Sequence, residues 1–294
     1  MNSSRIFEIE QFAQSLVKGG AMALYLTPKP GLVDLADQGS HPDLSLDKME
    51  RSLHILGDYL AELIRSLTDG ERFLCQAVIG RRAEEVMMEE LGSNTLKGYL
   101  FLSGLLLVAR WRCDSDDEKR LNRAVSELGE EFFALRRDQA TNGHSARSRF
   151  GAGGVVHEVL DGLPSLFTCA VPAYLTAIER TGCFTSASFA MLARLMQTVD
   201  DTTTLHRCGT MGLARLRRDG QTLERLIAEG GDPVAFLTEL NRKYVRMNLT
   251  MGGVADILGL AYGYLVATGR LAGASETTRS RNSKPRLRLC MGDA

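Results

Sequence analysis

The chain has 294 residues, 44% of them hydrophobic and 24% charged, which is the composition of an ordinary globular protein rather than of a disordered or membrane-spanning one. Its 35 lysine and arginine residues nearly balance 36 aspartate and glutamate residues, which leaves a formal net charge of -1. This balance argues against nucleic acid as a partner, because general nucleic-acid binding needs a basic surface that displaces counterions from phosphates.

The N-terminal segment and the apolar runs predict a cytoplasmic protein without a membrane partner. The first residues lead directly into Glu8 and Glu10, without the apolar stretch of a signal peptide. The longest apolar run, 99–109, is too short to cross a bilayer. The six cysteines lie far apart and include no Cys-x-x-Cys pair, so we expect reduced thiols, most of them in the core, rather than a zinc site or a redox pair.

Apolar residues recur at helical spacing along nearly the whole chain, and we find no convincing series of alternating strands. The sequence therefore predicts an all-α fold, a single-domain multi-helix bundle over residues 1–272 that forms the catalytic domain. After Ala272 the composition shifts to Ser, Thr, Arg and Lys, so we expect 273–294 to be a basic, disordered tail. Helices are predicted over 9–26, 48–67, 70–91, 95–111, 116–138, 164–181, 185–217, 220–229, 232–247 and 253–270.

The first site-like segment follows the first predicted helix. Pro28 and Pro30 end that helix, because they lack backbone donors and restrict the residues before them. The stiff loop that follows brings donors, acceptors and both charge signs together within fifteen residues. Its polar side chains are Lys29, Asp34, Ser40, His41 and Asp43. An interhelical loop with solvated charges explains this segment equally well when it is taken alone.

The second segment, 92–98, precedes the apolar run. Asn94 is expected to cap the helix that contains this run. The free backbone donors and the positive dipole end of that helix favour an anion, and Lys97 adds a positive charge in the first turn. The segment therefore suits a phosphate group. A plain N-cap with Lys97 in water is the alternative, and it is the more common arrangement.

The third segment, 139–163, is the longest predicted break between helices. It is rich in Gly and Ser and carries charged residues that include Glu158. Long irregular segments of this kind form lids or binding loops, so we expect one of these roles. The run Gly151–Gly154 is expected to be a turn, because it lacks the glycine spacing of a dinucleotide-binding fingerprint and follows no strand.

The fourth segment, 200–207, places two adjacent aspartates shortly before a histidine and an arginine. The helical period carries the apolar face of the preceding helix onto Asp200 and Arg207. Asp200, Asp201 and the nearby His206 suit a magnesium ion that bridges phosphates. Alternatively, the two carboxyl groups ionise differently and serve as base and electrostatic partner. A structural Asp–Arg pair is the third interpretation.

The fifth segment opens the last long predicted helix. Gly252 and Gly253 allow a ligand or another helix to approach the backbone closely. Asp256 is expected in the first turn, where an acidic residue also acts as an ordinary helix cap. Capping accounts for Asp256 but not for the glycine pair.

Together these segments resemble the triphosphoribosyl-dephospho-CoA synthase family, which serves citrate lyase and malonate decarboxylase. The resemblance extends over about 25–268. Its ordered motifs are TPKPGLVD and GSHPDL at 27–44, NTLKG at 94–98, GHSAR, FGAGG and HEVLDGLPS at 143–165, DDTTTLHRCG at 200–209 and NLTMGGVAD at 248–256.

The resemblance implies an all-helical enzyme that transfers the triphosphoribosyl group of ATP to the 2'-hydroxyl of 3'-dephospho-CoA and releases adenine. The implied partners are ATP, Mg²⁺ and dephospho-CoA or a related hydroxyl acceptor, and a homodimer is one of the oligomeric states left open. The implied catalytic residues are Asp200, Asp201, His206 and Glu158. The implied substrate-binding residues are Lys29, Asp34, Ser40, His41, Asn94, Thr95, Lys97, Arg207, Gly252 and Gly253. The implied magnesium ligands are Asp34, Asp200, Asp201 and Asp256.

The chain departs from the family pattern within these segments. Leu96 stands where the family usually has His, Val156 and His157 stand where it usually has Arg and Gly, and Cys208 replaces a glycine. In the last motif, Met251 and Val254 replace Pro and Ser. Two alternatives therefore stay open. One is a paralogue that transfers a ribosyl phosphate, with phosphoribosyl pyrophosphate as a candidate donor, to another hydroxyl; the other is a protein that binds nucleotide without turnover.

Overall fold

The computed structural model describes residues 3–135 and 153–271, in which eleven α-helices and one π-helical segment occur and no strand. The predicted all-α fold is confirmed. The predicted tail at 273–294, and the GHSAR motif with the start of FGAGG, lie outside the described residues. The α-helices are α1 (Ser3–Tyr25), α2 (Leu46–Thr68), α3 (Phe73–Leu91), α4 (Lys97–Cys113), α5 (Glu118–Leu135), α6 (Gly154–Leu160), α7 (Val171–Thr181), α8 (Phe184–Thr198), α9 (Thr202–Ala228), α10 (Pro233–Met247) and α11 (Gly252–Ala267), and the π-helix is Ser165–Ala170.

The first and last helices pack most extensively on each other, and glycines bring their backbones together. A β-carbon at Gly19 of α1 would lie 2.3 Å from the backbone nitrogen of Gly263 and 2.4 Å from the carbonyl oxygen of Gly259. No residue with a side chain fits at this crossing, because real β-carbons do not approach other atoms so closely. The crossing therefore fixes the N-terminal end of α11 near the loop that leaves α1.

The apolar run predicted at 99–109 lies inside α4 and is buried along its length, as expected for a core helix. Within the described part of the chain, no single helix is both long and apolar enough to span a membrane. Two short helical segments, Gly154–Leu160 and Ser165–Thr181, pass this test only together and meet at an angle of 83°.

The helix boundaries between residues 139 and 228 differ from the prediction in three ways. The predicted helix 185–217 is divided at 199–201, where Val199 adopts an extended backbone and Asp201 caps a new helix. That new helix, α9, is kinked at Gly209, where φ is +64°, and continues through the predicted break at 218–219 to Ala228. The predicted loop 139–163 also contains a helix, α6, in its described part.

Candidate functional site

The first motif forms a buried loop between α1 and α2 that is folded around Asp34. One carboxylate oxygen of Asp34 accepts the backbone N–H of Lys29 at 2.7 Å. The other accepts the N–H groups of Ala36 at 2.7 Å and Asp37 at 3.3 Å. Because both oxygens are engaged by the loop itself, Asp34 shapes the site rather than presenting a free carboxylate to a metal ion.

Lys29 is enclosed by this loop and is only 2% exposed. Its ammonium nitrogen Nζ donates to the carbonyl oxygens of Leu24 at 2.7 Å and Val33 at 3.0 Å. Burial lowers the pKa of Lys29 to about 7, and the charge of Asp34 opposes that shift. An ammonium group has three donors, so two carbonyls leave one hydrogen for a ligand. Lys29 can therefore change its charge near neutral pH.

The other end of the first loop is joined to the segment before α11. The Ser40 hydroxyl donates to the carbonyl oxygen of Leu249 at 2.7 Å. His41 Nε2 lies 2.7 Å from the hydroxyl of Thr250. A β-carbon at Gly31, where φ is +71°, would lie 2.2 Å from the Leu249 carbonyl oxygen, so the close approach of the two segments requires glycine.

Arg207 of α9 stabilises the contact between this loop and the segment before α11, which we call the junction. Its guanidinium donates to the Ser40 carbonyl oxygen at 2.7 Å, to Asn248 Oδ1 at 3.1 Å and to His41 Nδ1 at 3.3 Å. Burial, and then the charge of Arg207, lower the pKa of His41 to about 4, although Asp43 opposes them. His41 is therefore neutral at pH 7, accepts at Nδ1 and donates from Nε2 to Thr250.

Asp201 joins the N-termini of two helices. Its Oδ1 accepts the backbone N–H of Thr204 in α9 at 2.8 Å, and its Oδ2 accepts that of Val254 in α11 at 2.9 Å. Asp201 is fully buried, which raises its pKa, and these backbone hydrogen bonds oppose the rise. Gly253 packs against it, because a β-carbon there would lie 3.2 Å from Oδ2. Asp201 thus fixes the N-terminus of α9 next to the N-terminus of α11.

The other predicted catalytic residues of the third and fourth motifs make contacts that do not involve Asp201. Asp200 forms an ion pair with Arg217 at 2.5 Å and is partly exposed. Glu158 accepts hydrogen bonds from the backbone and hydroxyl of Ser165 at the start of the π-helix, and burial raises its pKa. His206 is exposed on α9. The structure therefore does not place Asp200, His206 and Glu158 in one pocket with Asp201.

The second motif differs from the predicted cap. The residue before α4 is Leu96, whose side chain makes no capping hydrogen bond, and Asn94 instead donates to Glu84 at 3.3 Å. Lys97 also pairs with Glu84, at 3.0 Å, and is 55% exposed. Thr95 exchanges a short hydrogen bond with Ser52 of α2. The cap of the first turn of α4 comes instead from Asp256 of α11, whose carboxyl accepts the backbone N–H of Tyr99.

A cavity of about 110 Å³ lies where the first, second and fifth motifs meet. Its lining includes Lys29, His41, Thr95, Leu96, Tyr99, Gly252 and Asp256, with apolar side chains from α1 and α2. A separate cavity of about 40 Å³ between α2, α3, α4 and α5 contains none of the predicted site residues. The cavity of about 110 Å³ is therefore the candidate active site, because it brings together residues of three predicted motifs.

Asp256 supplies the acidic group of this cavity. Its carboxyl lies against the first turn of α4, where a β-carbon at Gly98 would come within 1.9 Å of Oδ2. Burial raises the pKa of Asp256 well above its usual range, the nearby charge of Asp201 adds to the shift, and a hydrogen bond from the backbone of Tyr99 opposes it. Asp256 lies beyond the first turn of α11 and does not cap it.

These surroundings do not form a resident metal site. Among residues 3–135 and 153–271, no group of three His, Cys, Asp or Glu side chains is arranged to hold an ion. Asp34 and Asp201 use both carboxylate oxygens for backbone amides, and Asp200 is paired with Arg217. Asp256 is the one acidic residue among those that line the cavity, whereas a magnesium ion held by protein alone needs several oxygen ligands.

Sequence reasoning missed several residues that build the site. Asn241 of α10 accepts the backbone N–H of Gly31 at 2.8 Å and donates to Asp37 at 2.7 Å. The Tyr99 hydroxyl donates to the Leu16 carbonyl oxygen at 2.5 Å and forms a wall of the cavity. Neither residue stands out in the sequence, because Asn241 lies in an ordinary amphipathic helix and Tyr99 in an apolar run.

Comparisons with known proteins agree with the motif pattern. The profile of the ATP:dephospho-CoA triphosphoribosyl transferase family matches residues 9–274. A protein of Acinetobacter calcoaceticus named probable 2-(5''-triphosphoribosyl)-3'-dephosphocoenzyme-A synthase is 30% identical over 268 residues, which cover 86% of this chain and 91% of the relative. The 2-(5''-triphosphoribosyl)-3'-dephosphocoenzyme-A synthase of Klebsiella pneumoniae is 27% identical over 286 residues, covering 89% and 94% of the two chains.

A third relative, from Pseudomonas putida, carries the same name as the Acinetobacter protein and is 29% identical over 250 residues, covering 79% of this chain and 86% of its own. No solved structure matches the chain significantly. The match to the family profile spans every motif on which the resemblance rests, from the first proline-rich loop to the glycine pair of α11. The chain therefore belongs to the ATP:dephospho-CoA triphosphoribosyl transferase family.

Proposed function

We propose that this chain transfers the triphosphoribosyl group of ATP to 3'-dephospho-CoA and releases adenine, the reaction that gives its family its name. The observation that carries the proposal is the cavity in which Lys29, the start of α4 and Asp256 meet. These groups come from three motifs that are more than sixty residues apart along the chain, and they combine a cation, the N-terminal end of a helix and an acid.

The triphosphate would lie on the cationic side of this cavity. Lys29 offers its remaining N–H, and the start of α4 adds the positive end of the helix dipole, although its Tyr99 N–H already donates to Asp256. Lys97, more than half exposed and paired with Glu84, is not among the residues that line the cavity but adds positive charge to the same helix end. In this arrangement His41 is neutral and fixed to Thr250, so it positions the loop rather than carrying charge to the phosphates.

Magnesium would enter as part of the substrate, as MgATP. Mg²⁺ usually keeps several waters and binds through phosphate oxygens with one or two carboxylates. The described residues provide no cage that would hold the ion without nucleotide. We therefore expect Mg²⁺ to be required for ATP binding but not to bind tightly by itself.

The proposal is tested by measuring adenine release from ATP by the purified chain, with Mg²⁺, in the presence and absence of dephospho-CoA. Release that depends on dephospho-CoA, with a coupled product of the expected mass, supports the transferase. MgATP at about a hundredfold excess over its Kd should also stabilise the fold by about 2.7 kcal/mol. The absence of both adenine release and stabilisation would contradict the proposal.

A second candidate donor is favoured by Leu96, which lines the cavity where the family resemblance implies a histidine. Leu96 can neither donate a hydrogen bond nor move a proton. A donor with a better leaving group than adenine, such as phosphoribosyl pyrophosphate, would need less assistance at this position. Pyrophosphate release from that donor, measured beside adenine release from ATP, distinguishes the two.

A further inference from the structure

We propose that Asn241 of α10 is a positioning residue for the nucleotide donor, because it holds the part of the loop between α1 and α2 that places Lys29 in the cavity. The inference rests on the proposed function and deepens it, since it assigns a residue that sets the affinity for the triphosphate. Asn241 lies outside every motif on which the family resemblance rests.

Asn241 binds two points of the loop to α10. Its Oδ1 accepts the backbone N–H of Gly31 at 2.8 Å, and its Nδ2 donates to Oδ2 of Asp37 at 2.7 Å. Asp37 extends this restraint into the loop, because its Oδ1 accepts the N–H of Gly39 at 2.7 Å and its carbonyl oxygen accepts the N–H of Asp34 at 3.0 Å. One side chain of α10 therefore fixes residues on both sides of Asp34.

Gly31 lies inside the turn that encloses Lys29. The N–H of Leu32 donates to the Lys29 carbonyl oxygen at 3.2 Å, and the Lys29 ammonium donates to the carbonyl oxygen of Val33 at 3.0 Å. Lys29, Leu32 and Val33 all line the cavity. A displacement of Gly31 therefore moves the ammonium and its carbonyl acceptor relative to the cavity.

The end of the loop is held by other groups. Ser40 and His41 are fixed by Arg207 and by the segment before α11. Within residues 3–135 and 153–271, Asn241 is the side chain outside the loop that bonds to its 29–37 portion. The hydrogen bond from Asn241 to Asp37 is exposed to solvent, so its loss should cost little stability while it releases this portion.

Two substitutions break this arrangement and change the charge in opposite directions. Asn241→Asp keeps an acceptor for the Gly31 N–H but sets a second carboxylate against Asp37. Asp37→Asn leaves one acceptor oxygen for two donors, the Gly39 N–H and the Asn241 amide. The double variant restores every bond, since the amide at position 37 then donates to the carboxylate at position 241 and its oxygen accepts from Gly39. Its net charge equals that of the parent.

We expect each single variant to raise the KM for ATP and the Kd of inorganic triphosphate by about tenfold, with kcat and the KM for dephospho-CoA nearly unchanged. The double variant should return both raised constants to within about twofold of the parent. A rise in both single variants excludes a simple charge effect, because one variant adds a negative charge and the other removes one. Adenine release measures KM and kcat, and isothermal titration calorimetry measures Kd.

Thr238→Asp is the matched control. Thr238 lies three residues before Asn241 on α10, is exposed, and donates its hydroxyl to the carbonyl oxygen of Val234 in the same helix. The substitution adds the same charge as Asn241→Asp without removing a bond to the loop, so this variant should bind ATP as the parent does. Urea denaturation checks that each variant is folded under the assay conditions.

Each other result overturns a defined statement. A parent that binds no triphosphate and releases no adenine from ATP in the presence of dephospho-CoA overturns the proposed function and this inference with it. An active parent, with the KM for ATP of either folded single variant within about twofold of it, overturns the role of Asn241 alone. A double variant as weak as the single variants also overturns it, and so does an equal loss in Thr238→Asp, because the loss then does not depend on the pairing of Asn241 with Asp37.

Discussion

The guanidinium of Arg207 donates to Nδ1 of His41 at 3.3 Å and so links α9 to the loop after α1 across 166 residues of sequence. The same side chain holds the Ser40 carbonyl and Asn248, one on each side of the junction. The planar guanidinium fork makes three such bonds at once, which the single ammonium of lysine cannot reproduce with the same geometry. Arg207 is therefore a positioning residue for the loop that carries Lys29.

Replacing Arg207 by Met should loosen this loop and raise the pKa of His41 from about 4 toward its ordinary value, since one of the two causes of the low pKa is removed. Loss of charged hydrogen bonds should lower the free energy of unfolding by about 1–3 kcal/mol. NMR titration of the His41 ring and urea denaturation measure the two effects. Arg218→Met, at an exposed position of the same helix, is the control. An unchanged His41 titration would contradict the link.

Lys29 gives the site a defined pH dependence. Its pKa of about 7 means that the free protein loses this positive charge as the pH rises above 7. A triphosphate binds the protonated form better, so its Kd should rise above pH 7, by at most about tenfold per pH unit. Isothermal titration calorimetry with inorganic triphosphate between pH 6 and 9 measures this slope, because the range extends about two pH units above the pKa of Lys29.

Two variants isolate the contribution of Lys29. Lys29→Met should bind triphosphate more weakly and lack the part of the pH dependence that Lys29 causes. The pH dependence that remains in this variant reports protonation of triphosphate itself, so subtracting it from that of the parent isolates Lys29. Lys97→Met should also bind more weakly but keep the slope, because Lys97 is an exposed charge paired with Glu84 rather than a buried one. A slope that persists in Lys29→Met would show that another group controls the pH dependence.

Asp201 should prove essential to the fold. Both of its oxygens accept backbone N–H groups, whereas Asn has one acceptor oxygen and would turn an NH₂ group toward Thr204 or Val254. A buried donor is then left unsatisfied, and we expect Asp201→Asn to lose about 1–3 kcal/mol of unfolding free energy. Urea denaturation measures the loss. A variant that keeps the parent's stability but has no transferase activity would instead indicate direct catalysis by Asp201, as the sequence suggested.

Helical spacing was sufficient to predict the fold, because nearly every helix has an apolar face that must be buried. It failed at 199–201, where the apolar pattern of α8 continues but Asp201 ends the run by capping α9. The sequence predicted site residues at Lys29, Asp34 and Asp201, and the structure buries all three side chains. Their partners could not be predicted, since backbone groups far along the chain, such as the N–H of Val254, satisfy them.

Asp256 illustrates the same limit. An acidic residue near the start of a helix suggests a cap, and periodicity alone cannot distinguish a capping carboxylate from one turned into a cavity. The difference arises from Gly98, more than 150 residues earlier, which makes room for the carboxyl. The site is therefore set by glycine contacts between helices, which leave little trace in composition or hydropathy.

The sharpest prediction concerns Leu96, which lines the cavity beside Asp256. The family resemblance implies a histidine at this position, and the effect of restoring it depends on what that histidine does. If it only positions phosphate, Lys29 and the first turn of α4 still supply charge. The parent should then use ATP, and Leu96→His should strengthen transition-state binding by about 1–3 kcal/mol.

If that histidine instead assists the departure of adenine, its absence costs about 10²–10⁴-fold in rate, and the parent should prefer a donor whose leaving group needs no proton. Adenine release from ATP and pyrophosphate release from phosphoribosyl pyrophosphate, each measured in the parent and in Leu96→His, separate the cases. Leu96→Met is the control, because it keeps an apolar side chain of similar volume. Efficient ATP turnover by the parent, unimproved in Leu96→His, would refute the altered donor.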